Sequence, residues 1–496
     1  MGDFRVPLII RGEVIDNCEV EVADRSGGFS FFCPDAAKYV RRIVAPSTDV
    51  LADLYTIDFE EIIAFLDRLA ERLDLDTNRY WREAFEVGCR TSNLSRPVLE
   101  AMYRDSPSAL RARAVREVAE TRIGIRFLEG WAPSALSGGR TIKVRAVGAR
   151  SVHLIAGNVP LPAITTLLRS AITRNDAIVK APRNDPLTMC AIARTMIEMA
   201  PDHPLTRHLS VCYWKSGDSG VEATLYQPAH VEKIVVWGGD ASLKHVAPRL
   251  RQGMDLIALD PKSSSTLIGK EALTDEATMR AVARRAAVDL GGWDQEACVN
   301  ARVMFLESGV DEIGLAKANR FGQLVYEALQ ELPLSISCGP RNFDPRLRDE
   351  IAALSQQDDF YKVFTDVRNV EKSGAVIVSQ FSEQVDFAQL LFGRVGNIVP
   401  VERIEEAFAF FSSDTQTVGV YPDDLRLRIR DRAALMGGQW FVPLGYAICG
   451  SEVAPQDGIE PERRMCRWVV DTDFDPDLAL APWAKPRETS HTADGP

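Results

Sequence analysis

Long apolar segments and excess positive charge are both missing from this sequence of 496 residues. No segment offers the roughly 20 consecutive apolar residues of a membrane-spanning helix, so we expect no membrane span. Lysine and arginine total 58 against 70 acidic residues, and the formal net charge is −12. Because nucleic-acid surfaces and polybasic membrane anchors need positive charge, we expect neither nucleic acid nor membrane among the partners.

Metal-binding and secretory signals are also missing. The nine cysteines are scattered without a CxxC pair, and the six histidines form no cluster with zinc spacing, so no metal is expected. The first residues, MGDFRVPLIIRGEV, have neither a basic start nor a small-residue cleavage site. We therefore expect a cytoplasmic protein whose cysteines are reduced and mostly buried, with one of them available as a nucleophile.

The middle of the chain alternates strand-like and helix-like segments, whereas the first third is mixed. Five apolar runs, each followed by a turn or an amphipathic stretch, lie at 152–159, 177–182, 208–214, 233–238 and 255–260. Strands that alternate with helices of 10–15 residues predict right-handed crossovers and a parallel sheet. Before them, helical spacing is found at 36–45, 58–74 and 95–120.

A second α/β pattern begins near residue 265. Its first helix, TDEATMRAVARRAAVDL, has Thr274 as the expected N-cap and ends at a glycine pair, Gly291 and Gly292. Later, QLLFGRVGNIVPVERIEEAFAFF has the pattern of a loop, a strand and a helix. The predicted domains are a Rossmann-type region over 1–264 with a return over 441–483, a catalytic α/β domain over 265–440, and a disordered tail over 484–496.

Two residues stand where chemistry is expected. Cys298 lies in a short loop, GGWDQEACVN, between a helix and a strand, where a thiol can face a pocket. Asn158 follows a strand in HLIAGNVPLP, at the edge where open α/β sheets bind ligands, and its amide can donate to an oxyanion. Taken alone, the cysteine is more often a small buried apolar residue, and the asparagine is more often a turn residue or a helix cap.

An ordered set of segments carries a family resemblance. In chain order they are GNVP, IVKAPRNDP, SGDSGVEATL, VVWGGDASL, WDQEAC, FGRV and APQDGIEPERRMCRWV. This set resembles the aldehyde dehydrogenase superfamily and, within it, the LuxC-type acyl-CoA reductases. The resemblance implies an aldehyde dehydrogenase-like α/β fold with a Rossmann-type nucleotide-binding domain, an α/β catalytic domain and an oligomerisation hairpin.

The resemblance also implies a reaction. The Cys298 thiolate attacks the thioester of an acyl-CoA or acyl-protein, and the Asn158 amide and the Cys298 N–H hold the oxyanion. Hydride from a nicotinamide then releases the aldehyde. Two alternatives stay open: an aldehyde dehydrogenase that oxidises its substrate, and a catalytically silent scaffold subunit of the same fold. The acyl group, whether long aliphatic, aromatic or branched, is left open.

Four further positions bear on this reaction. Ala258 stands where hydrolytic superfamily members carry the glutamate that activates water, which favours a reductase. Asp260 is a candidate for a shifted base, although a turn-forming Asp-Pro is the simpler interpretation. Leu390 stands where the superfamily glutamate holds the nicotinamide ribose. His245 is a candidate proton donor, and a packing role is the alternative.

The cofactor prediction is NADPH. Lys180 matches the lysine that contacts the adenosine ribose, and Arg183 stands where many NAD-preferring relatives have an acid, so it would attract a 2′-phosphate. Gly238 and Gly239 open a helix whose N-terminus favours phosphate, although Leu243 replaces the second glycine of the superfamily turn. An acyl-activating synthetase is a candidate partner. TIKVRAV and MCRWVVDT, at 141–147 and 465–472, are the candidate segments for a homo-oligomer.

Overall fold

The computed structural model describes residues 4–23, 28–137, 140–450, 453–475 and 481–483, so the predicted tail 484–496 lies outside the described residues. The strands in these ranges are β1 Phe4–Arg5, β2 Leu8–Ile10, β3 Glu13–Ile15, β4 Val20–Ala23, β5 Ser30–Cys33, β6 Ala132–Leu136, β7 Arg140–Val147, β8 Arg150–Leu154, β9 Asp176–Lys180, β10 Leu209–Cys212, β11 Lys233–Trp237, β12 Asp255–Leu259, β13 Ser263–Ile268, β14 Ala301–Leu306, β15 Tyr361–Thr365, β16 Ala375–Ser379, β17 Val395–Pro400, β18 Thr415–Tyr421, β19 Trp440–Pro443 and β20 Arg467–Phe474.

The α-helices of the same ranges are α1 Ala36–Ile43, α2 Phe59–Arg72, α3 Arg79–Thr91, α4 Arg96–Asp105, α5 Ala112–Arg122, α6 Ile125–Glu129, α7 Leu161–Ile172, α8 Thr188–Met199, α9 Pro204–Arg207, α10 Ser219–Leu225, α11 Asp240–Val246, α12 Glu276–Gly291, α13 Glu312–Gln330, α14 Pro345–Leu354, α15 Val370–Ser373, α16 Asp423–Leu435 and α17 Pro461–Met465. Short 3₁₀ helices include Gly292–Gln295, Ala388–Leu390 and Ile404–Phe410.

The first large sheet has the strand order β12-β11-β8-β9-β10-β2-β3. Its five strands from β8 to β12 are mutually parallel, which confirms the parallel α/β sheet predicted from the alternating pattern. The order reverses between β8 and β11, and a ligand crevice is expected at the carboxyl ends of those two strands. The antiparallel strands β2 and β3 extend the sheet beyond β10, with Val211 opposite Ile9.

The second large sheet has the order β15-β16-β17-β14-β13-β18-β19, and every pairing in it is parallel except β15 with β16. Only residues 260–262 separate β12 of the first sheet from β13 of the second. This sheet runs from Ser263 to Pro443, slightly beyond the predicted catalytic span of 265–440 at both ends. The chain therefore passes from the first sheet to the second in three residues.

A smaller sheet joins the two segments predicted to mediate assembly. Its order is β20-β7-β6, and β20 pairs antiparallel with β7 over eight residues, from Arg467 opposite Val147 to Phe474 opposite Arg140. Most of the β20 side chains are exposed. Among the described residues, no strand pairs with the outer edge of β20, so the sheet ends there in a long strand.

The structure corrects two of the helix predictions. The N-cap of α12 is Asp275, whose carboxylate accepts the Thr278 N–H, and not Thr274, which has helical backbone angles. An ionised carboxylate is the stronger acceptor for a free N–H at a helix N-terminus. The segment expected to form a helix after FGRV is the 3₁₀ helix Ile404–Phe410 rather than an α-helix.

Candidate active site

The loop that carries Cys298 has an unusual backbone. It connects α12 to β14, and its residues Trp293, Asp294 and Gln295 have φ values of 51°, 53° and 62°. Three consecutive left-handed residues other than glycine cost free energy and persist only where neighbouring contacts enforce them. The side chains of Asp294 and Gln295 supply these contacts.

Asp294 is completely buried and binds three backbone N–H groups. One carboxylate oxygen accepts from Ser95, at 2.9 Å, and the other accepts from Cys338 and Gly339, at 2.8 and 2.9 Å. These donors come from the start of α4 and from a segment after α13. The carboxylate therefore ties the nucleophile loop to two distant parts of the chain.

Gln295 connects the same loop to the second sheet. Its Nε2 donates to the carbonyls of Ala301 and Val395, at 3.0 and 2.9 Å, and its Oε1 accepts the Val395 N–H at 2.9 Å. Val395 is the last residue of the FGRV segment and the first of β17. Two of the segments behind the family resemblance thus meet through one amide.

Asn158 lies against the loop that carries Cys298. Its Nδ2 donates to the carbonyl oxygen of Glu296 at 2.8 Å, two residues before the cysteine. The Glu296 carboxylate in turn accepts a hydrogen bond from Asn93, and burial raises the pKa of this carboxyl. The amide predicted to hold an oxyanion is therefore fixed beside the backbone of the predicted nucleophile.

The surroundings of Cys298 act on its thiol in both directions. Burial is the largest influence and raises the pKa of the thiol, and the charge of Asp457 raises it further. A hydrogen bond from the Gln416 side chain lowers the pKa, as do the Cys298 backbone N–H and the charge of Arg302. The cysteine carbonyl accepts from Ser264 Oγ at 2.7 Å, which anchors the loop to β13.

Gln416 and Asp457 are site residues that sequence reasoning missed. The Gln416 Nε2 donates to an oxygen of Asp457, and the Gln416 side chain is only 6% exposed. Burial raises the pKa of Asp457, and Asp260 is among the charges close enough to affect it. Asp457 lies within the APQDGIEPERRMCRWV segment, but nothing in its local pattern indicated contact with the nucleophile loop.

Ala258 and Leu390 are the positions predicted to depart from the superfamily pattern. Ala258 lies within β12 and pairs with Val236, so its strand position carries a methyl group and no carboxylate. Leu390 ends a short 3₁₀ helix and is 36% exposed. The carbonyl of the preceding residue, Gln389, accepts from Arg302 at 3.1 Å, which connects this segment to the strand after the nucleophile loop.

The predicted cofactor residues lie at the carboxyl ends of the first sheet. Lys180 ends β9 opposite Leu154, its Nζ donates to Ser216 Oγ at 2.6 Å, and burial lowers its pKa to about 8. Gly238 and Gly239 follow β11, across the crevice from Asn158, and a Cβ on Gly239 would meet nothing within 4 Å.

Arg183 lines a separate cavity of about 260 Å³. Its Nε donates to the Tyr213 hydroxyl at 3.4 Å, and Lys215 is a second cation in the lining. Three acids share the lining, of which Asp35 and Asp218 cap the helices α1 and α10. Two cations therefore face this cavity, with part of the opposing negative charge engaged by helix N-termini.

The His245 side chain contacts a buried carboxylate, that of Glu222. Its Nε2 lies 2.9 and 3.0 Å from the two oxygens of Glu222, a buried carboxylate that also accepts from Gly217 and Trp214 and pairs with Arg249. These contacts join α11 to α10. The proton-donor role of His245 stays a prediction, and the packing role is the one for which contacts are visible.

Among the described residues, no helix has both the length and the apolar character needed to cross a membrane. In the same part of the chain, no group of three or more histidine, cysteine and acidic side chains is arranged to hold a metal ion.

Comparisons with known proteins concern the family and the fold of the chain. A family model described as acyl-CoA reductase (LuxC) matches residues 54–468. The long-chain acyl-protein thioester reductase of Photorhabdus laumondii is 30% identical over 71% of this chain and 69% of its own length. The Aliivibrio fischeri protein of the same name is 28% identical over 70% and 67%.

Solved structures of aldehyde dehydrogenases share the fold. A lactaldehyde dehydrogenase superposes with a TM-score of 0.71 at 14% identity, covering 96% of this chain and 100% of that one. Aldehyde dehydrogenase 21 from Physcomitrella patens gives a TM-score of 0.72 at 11% identity, covering 96% and 99%. The predicted aldehyde dehydrogenase-like fold is therefore confirmed.

Proposed function

Because this chain belongs to the acyl-CoA reductase (LuxC) family, we propose that it reduces an acyl thioester to the aldehyde through an acyl-enzyme on Cys298. Relatives named long-chain acyl-protein thioester reductases make an acyl-protein thioester a candidate substrate beside acyl-CoA. The observation that carries the proposal is the 2.8 Å hydrogen bond from Asn158 to the carbonyl of Glu296. This bond brings an oxyanion donor and a cysteine loop together from two different sheets.

In the first step the Cys298 thiolate attacks the acyl carbon. A new carbon–sulfur bond forms, and the carbonyl electron pair moves to oxygen, where the Asn158 amide and the Cys298 N–H donate to it. When the carbonyl reforms, the carbon–sulfur bond to the original thiol breaks. The released thiolate takes a proton from solvent, and the acyl group stays on Cys298.

In the second step the acyl group leaves as the aldehyde. NADPH, when bound, supplies the hydride that reduces the acyl carbon. The same two N–H donors hold the oxygen of the thiohemiacetal on Cys298, whose collapse breaks the carbon–sulfur bond and returns the thiolate. Ala258 offers no carboxylate to activate water, so hydrolysis of the acyl-enzyme is slow and reduction prevails.

The residues that would hold the cofactor fit an anionic dinucleotide. Gly238 and Gly239 precede α11, and the space around Gly239, where a Cβ would meet nothing within 4 Å, leaves room for a phosphate. Lys180 stands at the end of β9, which β8 separates from β11, and Arg183 with Lys215 lines a cavity of its own. Arginine binds a phosphate through two N–H groups, which favours NADPH over NADH. The 2′-phosphate assignment rests on Arg183.

The proposal also covers the oligomeric state, a partner enzyme and the location of the protein. The edge of β20, unpaired in the part of the chain that the structure describes, and its exposed apolar side chains support a homo-oligomer in which this strand contacts a second copy. An acyl-activating synthetase is the partner that would supply an acyl group as a thioester. We propose a cytoplasmic location, because the chemistry uses a reduced thiol.

Mass spectrometry tests the proposal against its two alternatives. The intact protein is mixed with a panel of acyl-CoA thioesters, with Cys298→Ala beside it and Cys449→Ala, an exposed thiol, as the matched control. We expect an acyl mass on the wild type and on Cys449→Ala but not on Cys298→Ala. Added NADPH should remove that mass and yield aldehyde.

Two outcomes would contradict the reductase. A protein that takes no acyl mass from any thioester is a silent scaffold of the same fold. Fast oxidation of aldehydes by NAD(P) without any thiol acceptor would make it an aldehyde dehydrogenase.

A further inference from the structure

We propose that Ser264 is a positioning residue for Cys298, because its hydroxyl holds the backbone carbonyl of that cysteine. The proposal rests on the proposed role of Cys298 as the nucleophile. Ser264 is only 2% exposed, and its Oγ donates to the Cys298 carbonyl at 2.7 Å. The same Oγ accepts the N–H of Thr417 in β18 at 3.1 Å. One buried hydroxyl thus joins the backbone of the nucleophile to two strands of the second sheet.

The strand pairing is irregular on both sides of Ser264. On one side, β14 has one extra residue, Arg302, between the partners of Ser264 and Ser265. On the other side, β18 has one extra residue between the partners of Ser263 and Ser265. Such bulges bend the strand that carries them and can redirect side chains beside an active site. At this interruption of both ladders, the Ser264 hydroxyl binds a backbone group on each side.

The two peptide units that flank the Cα atom of Cys298 are each held through a carbonyl oxygen. The Ala297 carbonyl, in the unit that carries the Cys298 N–H, accepts the Asn300 N–H at 3.2 Å. The Ala297 N–H donates to the Asn300 side-chain oxygen at the same distance. The Cys298 carbonyl, in the following unit, is held by Ser264. Because two fixed peptide planes set the direction of the Cα–Cβ bond, these contacts together direct the thiol.

This direction matters for the first chemical step. The sulfur must approach the acyl carbon while the acyl oxygen lies within reach of the Cys298 N–H. A misplacement of about 1 Å in such an arrangement can cost about 10²-fold in rate. Without the Ser264 hydroxyl, the Cys298 carbonyl loses the contact that ties it to β13, so the peptide unit after the cysteine gains freedom to rotate.

Ser265 offers a matched control at the next position of the same strand. Its hydroxyl is also buried, but it has no hydrogen-bond partner in the described part of the chain. Ser264→Ala and Ser265→Ala therefore remove the same atom from neighbouring positions, and only the first removes hydrogen bonds. Ser264→Thr keeps the hydroxyl and tests whether that group, rather than the serine itself, is needed.

Three measurements on the full chain test the role of Ser264. They are kcat with an acyl-CoA and NADPH, the Kd for NADPH from fluorescence titration, and hydrogen exchange of the peptide that covers residues 292–300. In Ser264→Ala we expect kcat to fall about ten- to hundredfold and the peptide to exchange faster. The Kd for NADPH should stay the same, because the residues proposed to bind it follow strands of the first sheet.

The other variants should separate the hydroxyl from the space that it fills. Ser264→Thr should recover most of kcat, and Ser265→Ala should match the wild type in all three measurements. If Ser264→Ala does not fold, Ser264→Cys replaces it. A thiol fills similar space but is a weak donor, so kcat should still fall, by a smaller factor.

A wild-type kcat in the variant that lacks the serine hydroxyl, or equal losses in Ser264→Ala and Ser265→Ala, would overturn the role of Ser264. So would a loss of kcat that Ser264→Thr does not recover. The proposed function fails separately. If the wild type takes no acyl mass from any thioester, Cys298 is not the nucleophile, while the exchange rates still decide whether Ser264 holds its backbone.

Discussion

The side-chain amide of Asn158 donates to the backbone carbonyl of Glu296, and this one bond spans 138 positions of the chain. Asn158 follows a strand of the first sheet, whereas Glu296 belongs to the loop before a strand of the second. The bond uses one of the two N–H groups of the amide. The second N–H is not used by this bond, and it is the donor that we propose for the oxyanion.

Replacing Asn158 by alanine should slow the proposed reaction strongly. Loss of one oxyanion donor costs about 10²–10³ in kcat, because the donor acts on charge that develops in the transition state. Steady-state rates with an acyl-CoA and NADPH measure the loss. Asn17→Ala, an exposed amide that donates to Tyr39, should retain the wild-type rate. An unchanged kcat in Asn158→Ala would remove this residue from the proposed mechanism.

The sequence allowed the general architecture to be predicted because its signals are local. Apolar runs mark the parallel strands, and the turn after each run marks the sheet edge where Asn158 and Lys180 lie. The resemblance then supplied the domain type.

The hydrogen bonds that hold the nucleophile loop could not be predicted, because they join residues that are far apart in the sequence. Asp294 and Gln295 were visible in WDQEAC, but their partners Ser95 and Val395 lie about 200 and 100 positions away. Gln416 and Asp457 carry no local motif that connects them to a thiol. Such contacts exist only after both sheets have folded, so periodicity and turn signals cannot indicate them.

Arg183 should decide between NADPH and NADH. Arg183→Glu places an acid where the 2′-phosphate is expected, so repulsion should weaken NADPH while the ribose hydroxyls of NADH gain an acceptor. The ratio of kcat/KM for the two cofactors should fall by tenfold or more, as about 1.4 kcal/mol of lost interaction implies. Arg41→Glu, at an exposed position of α1, is the matched control. If the ratio does not change, the 2′-phosphate assignment is wrong.

Cofactor affinity should decrease as the pH rises through about 8. Burial lowers the pKa of Lys180 to about 8, so its ammonium is charged below that pH and neutral above it. A phosphate monoester is already fully ionised there, so the loss of the lysine charge should raise the Kd for NADPH between pH 7 and 9. Fluorescence titration with NADPH at each pH measures this Kd.

Lys180→Arg provides the control for this pH dependence. The guanidinium keeps its charge over the whole interval, so the variant should bind NADPH with a flatter pH profile. The same slope in both proteins would show that another group causes the change.

The open strand β20 should mediate assembly. Val470 and Phe474 are 56% and 62% exposed on this edge strand, and Val470→Glu puts a charge where a second copy would pack. Light scattering should report an oligomer for the wild type and a smaller species for the variant. Ile313→Glu, at a position 68% exposed on α13, should leave the mass unchanged. A wild type that is monomeric at all concentrations would contradict the prediction.

Asp294 should contribute more to stability than other acidic residues, because its carboxylate accepts three backbone N–H groups in a fully buried position. Asp294→Asn keeps the size but replaces one oxygen by a donor, which leaves at least one buried N–H without a partner. Such a loss costs about 1–3 kcal/mol in the free energy of unfolding, measured by urea denaturation. Asp275→Asn changes an exposed N-cap to an equally good one and should change stability little. Equal effects of the two substitutions would mean that the buried carboxylate does not maintain the left-handed backbone of the nucleophile loop.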